Sequence, residues 1–103
     1  MTIVTITEIL DDLRAADEIT RRFERRYWLS SADFYELYSQ GLLDDGEHTD
    51  DFALWAGFYE IKLDREKALQ RLSEERVHRL REQAHSGIIE IVPPEPVIEV
   101  VPS

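Results

Sequence analysis

A chain of 103 residues with 12 Lys+Arg against 22 Asp+Glu has room for one domain. Its net charge of −10 repels nucleic acid and anionic membranes unless its few basic groups are focused, and draws the chain toward a basic partner. Without cysteine it has neither disulfides nor thiolate metal sites, which suits a reducing compartment.

The opening MTIVTITEILDD has no basic n-region and no long apolar run, so we expect no signal peptide. No segment approaches the roughly 18 apolar residues of a membrane span. The expectation is a cytoplasmic protein.

Thr2 to Ile6 alternate Ile and Val with Thr, a short β-prone start. From about Thr7 to Tyr27 the apolar positions Ile6, Ile9, Leu10, Leu13, Ala16, Ile19, Phe23 and Tyr27 recur at three and four, which predicts an amphipathic helix with one apolar stripe. Glu8, Asp11 and Asp12 come early and Arg21, Arg22, Arg25 and Arg26 late, complementing the helix dipole. Ser30 or Ser31 then offers an N-cap, and Asp33 makes an imperfect capping box with Ser30. A short helix carrying Phe34, Leu37 and Tyr38 on one side is expected to end at Gly41.

After the acidic loop LLDDGEHTDD, Thr49 or Asp50 is expected to cap a third, longer helix, with Gly57 the only glycine between Ala56 and Ser86 and no proline. Its stripe reads Phe52, Trp55, Tyr59, then Leu63, Leu69, Leu72 and Leu80, loosening after Leu72. A helix of about 30 residues spans roughly 45 Å, more than a two-turn core covers. Its distal half must pack on the first helix, on a second copy or on a partner. Gly87 stops it, and IIEIVPPEPVIEVVPS alternates aliphatic and acidic residues around Pro93, Pro94, Pro96 and Pro102. Prolines forbid a central strand. We expect an extended tail, disordered alone, that adds an edge strand to a sheet or lies in a groove.

The ten aromatic residues all fall between Phe23 and Tyr59. One small core is therefore expected, with Phe34, Leu37 and Tyr38 against Phe52, Trp55 and Tyr59, and with Trp28 and Tyr35 outside. The fold class is mostly α: a small helical domain (residues 1–85) with a long third helix packed on the first, a short middle helix, and an extended Pro-rich C-terminal tail (residues 86–103).

Little in the chain points to chemistry. Asp44, Asp45, Glu47, His48, Asp50 and Asp51 supply hard oxygen ligands, but not at the alternate positions of a calcium loop. Glu74, His78 and His85 share a helix without the H-E-x-x-H pattern. We read both sets as solvated surface, with no metal and no cofactor. The four arginines beside Tyr27 and Trp28 have the makings of a phosphate and base-stacking patch, against which stands a helix C-terminus paired with nearby acids. No nucleophile has a base beside it, and there is no phosphate loop. The expectation is that the chain is not an enzyme.

A resemblance follows from Tyr27, Ser30, Ser31, Phe34, Tyr35, Gly41, Leu43, Asp44, Asp51, Phe52, Trp55, Ala56 and Tyr59. Their order resembles that of small acidic prokaryotic antitoxin-like proteins, encoded beside ribonuclease-like toxins. In that group a Y-x-M-S-S-E-E-F-Y block precedes G-x-L-x-D and D-F-x-E-W-A-x-x-Y. The likeness covers about a third of the chain, and its motifs are structural, not catalytic. Trp28-Leu29 before the serines and the Pro-rich tail depart from the pattern.

The resemblance implies an antitoxin that binds and neutralises a small basic toxin by occluding its active groove. Leu63, Leu69, Leu72 and Leu80 on the long helix, with Ile88, Ile89, Ile91, Val92, Val97 and Ile98 in the tail, are the expected partner-binding residues. The alternative is a self-associating helical scaffold or adaptor that forms a homodimer without a partner. Nucleic acid is expected to contribute at most a weak operator contact through Arg21, Arg22, Arg25 and Arg26.

Overall fold

The computed structural model describes residues 5–43, 45–84, 87–89 and 91. Among these residues there are three helices and no strand: α1 (Ile6–Tyr27), α2 (Ser31–Ser39) and α3 (Thr49–Glu82). The long third helix packs on the first and the middle one is short, as the patterning predicts. The chain divides into two compact units, Met1–Leu72 and Ser73–Ser103. The four tail prolines lie outside the described residues.

The start of α1 follows from a signal that apolar periodicity does not carry. Thr5 accepts the Glu8 N–H at 3.2 Å while the Glu8 carboxylate accepts the Thr5 N–H at 3.2 Å, a closed capping box. Ile6, assigned above to a β-prone opening, is therefore the first residue of α1. Its partners in that pattern, Thr2 to Val4, lie outside the described residues. At the far end Trp28 turns left-handed, at φ 57°, and sends its N–H back to the Glu24 carbonyl at 2.9 Å.

Ser30 caps α2 by accepting the Asp33 N–H at 3.1 Å. Gly41, at φ 73°, ends the turn as expected, with the Leu42 N–H on the Leu37 carbonyl at 3.1 Å. α3 is started differently from expectation. Thr49 and Asp50 lie within its first turn, and the Phe52 N–H reaches the His48 carbonyl at 2.9 Å. It is Asp45 that organises the approach, its Oδ1 accepting the N–H groups of Glu47 and His48 at 2.9 and 3.0 Å.

Three cross-links set α1 and α3 antiparallel: Tyr27 to Asp51 at 2.6 Å, Lys62 to Asp17 at 3.0 Å and Arg65 to Asp12 at 2.7 Å. At the Tyr27 end Phe23, Phe34, Phe52, Trp55 and Ala56 form the core, flanked by Ile19, Tyr27, Leu29, Tyr35 and Leu43. Phe34 lies flat on Trp55, with ring centroids 3.7 Å apart and planes 4° off parallel; Phe23 stacks on the indole at 5.6 Å. Each such ring takes roughly 150–250 Å² out of water, at about 25 cal/mol per Å². Ile9, Ala16 and Thr20 continue the buried stripe of α1.

Of the expected core, Phe34, Phe52 and Trp55 are buried, Leu37 and Tyr59 half-buried, and Tyr38 is 37% exposed. Tyr38 belongs to the last turn of α2, beside an open cavity of about 220 Å³ that it lines with Gly41, Leu43, Thr49 and Phe52. Phe23 and Ala56, which carry as much of the core, were outside that expected set.

Candidate interaction surface

The polar residues nearest the core form a relay that ties all three helices together. Ser31 opens α2, and both its N–H and its hydroxyl donate to Glu24 Oε2 of α1, at 2.9 and 2.8 Å. The same hydroxyl accepts the Trp55 indole N–H of α3 at 2.8 Å. Arg21 closes the chain on the other carboxylate oxygen of Glu24 at 2.9 Å. Burial pushes the Glu24 pKa up, but the two Ser31 donors and Arg21 outweigh it and hold the carboxyl below its ordinary value. These bonds tie α1, α2 and α3 to one another.

The acidic loop behaves in the same way. Asp45 accepts from the His48 ring at 2.9 Å as well as from the two backbone N–H groups, and these bonds, the ring's foremost, bring its pKa down to about 2. The bond to Asp45 in turn raises the His48 pKa. Asp51 accepts the Tyr27 hydroxyl and faces Arg26 at 3.6 Å. Burial first, and then Asp51, push the Tyr27 phenol up. No group of three or more His, Asp or Glu among the described residues is arranged to hold a metal. Asp44 and His85 lie outside the described residues, and His78 faces Glu82 at 3.3 Å.

The four arginines do not act as one patch. Arg21 is held by Glu24 and by Asp17 at 3.4 Å, while Arg26 sits by Asp51 and over the Tyr27 ring at 5.6 Å. Arg22 and Arg25 are exposed and make no ion pair among the described residues. Tyr27 is half-buried in the core cluster and so is not free to stack a base; Trp28, 92% exposed, is. Tyr35, expected outside with Trp28, is instead half-buried and donates to Glu60.

The expected partner-binding residues are placed as follows. Leu63 is 37% exposed, Leu69 and Leu72 are half-buried at the end of the first unit, and Leu80 is half-buried in the second. Ile88, Ile89 and Ile91 are exposed, and Val92, Val97 and Ile98 lie outside the described residues. Sequence periodicity ran Leu63, Leu69 and Leu72 into one stripe with Phe52 and Tyr59. The structure separates two faces on α3: Phe52, Ala56 and Tyr59 turn to α2, while Lys62 and Arg65 turn to α1 and reach its aspartates. Ile6 and Leu10, also exposed, share a face of α1 with Asp17, the partner of Lys62.

Of the residues that carry the resemblance, Phe34, Phe52, Trp55 and Ala56 belong to the core, and Tyr27, Tyr35 and Leu43 pack against it; Asp44 lies outside the described residues. Ser30 caps, Ser31 bridges, Phe34 stacks on Trp55, Tyr35 packs on Tyr59 and Tyr27 is tied to Asp51. Compared with known proteins, the chain matches no family model, no curated sequence and no solved structure. No helix among the described residues is long and apolar enough to cross a membrane.

Proposed function

We propose that the chain is a non-catalytic protein-binding module, an antitoxin, that neutralises a small basic toxin by covering its active groove. The observation that carries this reading is a net charge of −10 on a fold that also exposes large apolar side chains. Asp11, Glu18, Asp33, Glu36, Asp50 and Glu66 make no ion pair among the described residues, in a chain of net charge −10. Ile6, Leu10 and Leu63 are exposed on the same fold. An RNA-cleaving toxin needs a basic groove, and an acidic surface with apolar anchors competes for that groove by charge complementarity and burial.

The fold supports the reading in a second way. Its hydrogen-bonding side chains near the core are satisfied by one another, which supports recognition through the surface. The test is growth rescue. Cells expressing the neighbouring reading frame of the source genome should arrest, and co-expression of this chain should relieve the arrest. A neighbour that is harmless, or whose toxicity this chain leaves untouched, would reject the antitoxin reading.

A further inference from the structure

The turn that joins α2 to α3 leaves an open cavity at the edge of the core. Tyr38 of α2, Gly41 and Leu43 of the turn, and Thr49 and Phe52 of α3 line its volume of about 220 Å³. The rings of Tyr38 and Phe52 are both packed on Phe34, with centroids 5.5 and 5.6 Å away, and so stand as fixed walls. Gly41 holds φ 73°, a conformation that favours glycine, and the turn therefore brings no side chain of its own to this point.

Sites for small molecules run to about 300–1,000 Å³. This cavity is smaller, and suits a single apolar side chain brought by another chain. Leu42, next to Leu43 and 65% exposed, adds apolar surface beside it.

The charges bordering the cavity say what carries that side chain. The segment from Leu43 to Phe52 runs between two of the lining residues, and holds Asp44, Asp45, Glu47, Asp50 and Asp51 with no lysine or arginine. Asp45 is engaged by the His48 ring and the N–H groups of the turn, and Asp51 by Tyr27 and Arg26. Glu47 and Asp50 are exposed and make no ion pair among the described residues. A lysine or arginine arriving here meets carboxylates, whereas an acidic partner is repelled.

We propose that the cavity between Tyr38, Leu43, Thr49 and Phe52 receives a leucine- or phenylalanine-sized side chain of a basic partner, whose flanking lysines or arginines pair with Glu47 and Asp50. In assigning the toxin's contact to the α2–α3 turn, this rests on the antitoxin reading; the cavity itself asks only for a basic segment with an apolar anchor. One anchored side chain inside a charged rim is the pattern in which a few residues carry most of the binding energy.

The test is an amide NMR titration of the full-length chain with acetyl-Lys-Lys-Leu-Lys-Lys-amide, and with acetyl-Glu-Glu-Leu-Glu-Glu-amide as the control. The basic peptide should shift signals between Tyr38 and Phe52, and the acidic one should not. Thr49→Phe, which adds a ring at the exposed wall of the cavity, should abolish those shifts. Glu47→Lys, on an exposed side chain outside the helices, should weaken binding about tenfold. Absent shifts, shifts spread over α1 and the rest of α3, or shifts unchanged in both variants would overturn the proposal. If the neighbouring gene product binds with an affinity that neither variant alters, this contact is wrong and the antitoxin reading stands. If that product does not bind while the peptide shifts remain, the antitoxin reading fails and the cavity's role stands.

Discussion

Ser31 and Trp55 are joined by a hydrogen bond of 2.8 Å from the indole N–H to the serine hydroxyl, between two side chains that are both fully enclosed. That bond sets the depth at which the indole enters the core, and Phe34 then lies flat on the same ring. Ser31→Ala leaves the Trp55 N–H buried without an acceptor, a loss of about 1–3 kcal/mol. Urea unfolding of the variant should show it as a lower midpoint with an unchanged slope. Trp55→Phe in the Ser31→Ala background should cost less than the two single losses added together, because no donor is then left unpaired.

Phe34→Ala removes a fully buried ring from the centre of the stack. Such truncations cost about 3–5 kcal/mol, a large part of the stability of so small a domain. Circular dichroism at room temperature should show a loss of helix in Phe34→Ala, and little change in Tyr38→Ala at the exposed end of the same helix.

Trp28 is held left-handed at φ 57° while its side chain is 92% exposed. Its ring therefore gains almost nothing from folding, and its backbone is in a region that costs a bulky residue roughly 1–2 kcal/mol. Trp28→Gly should raise the unfolding free energy by about 1 kcal/mol. The variant's fluorescence should also shift to the blue, since only the buried Trp55 then emits.

The Asp45–His48 pair gives the entry to α3 a pH dependence of known sign. The His48 pKa is raised in the folded protein, so its contribution is complete below the unfolded value and is lost as pH rises through the folded one. The Asp45 pKa is lowered to about 2, so its contribution holds above the ordinary aspartate range and is lost as pH falls toward that value. An NMR titration should find the His48 ring titrating above the ordinary histidine value, and Asp45→Asn should bring it back down. An unchanged His48 titration in Asp45→Asn would mean that the bond does not form in solution.

Much of this fold was legible because its signals are local. The three-and-four spacing from Ile9 to Tyr27, Ser30 before α2 and Gly41 after it each act within a turn or two. The start of α3 was read one or two residues too late, because Asp45 organises the approach from outside the helix through backbone N–H groups. The partition of α3 into an α2 face and an α1 face was not visible either. Lys62 and Arg65 meet Asp17 and Asp12 only once α1 and α3 are packed, and such pairing lies in no single helix. The resemblance singled out Ser31 and Trp55 without saying that they touch; their bond is a contact between two helices that no local pattern shows.

If the tail contributes to partner binding, removing residues 86–103 should weaken capture of the toxin while leaving the thermal transition of the helical domain unchanged. Full retention of binding would assign recognition to the helices alone.

The most direct measurement is to express the tagged chain together with the product of its immediate genomic neighbour, purify through the tag, and weigh the eluted species by light scattering. The account predicts a stable complex with a small basic protein at a fixed ratio. Elution of the chain alone, as monomer or homodimer, with the neighbour present in the cell but unbound, would contradict it.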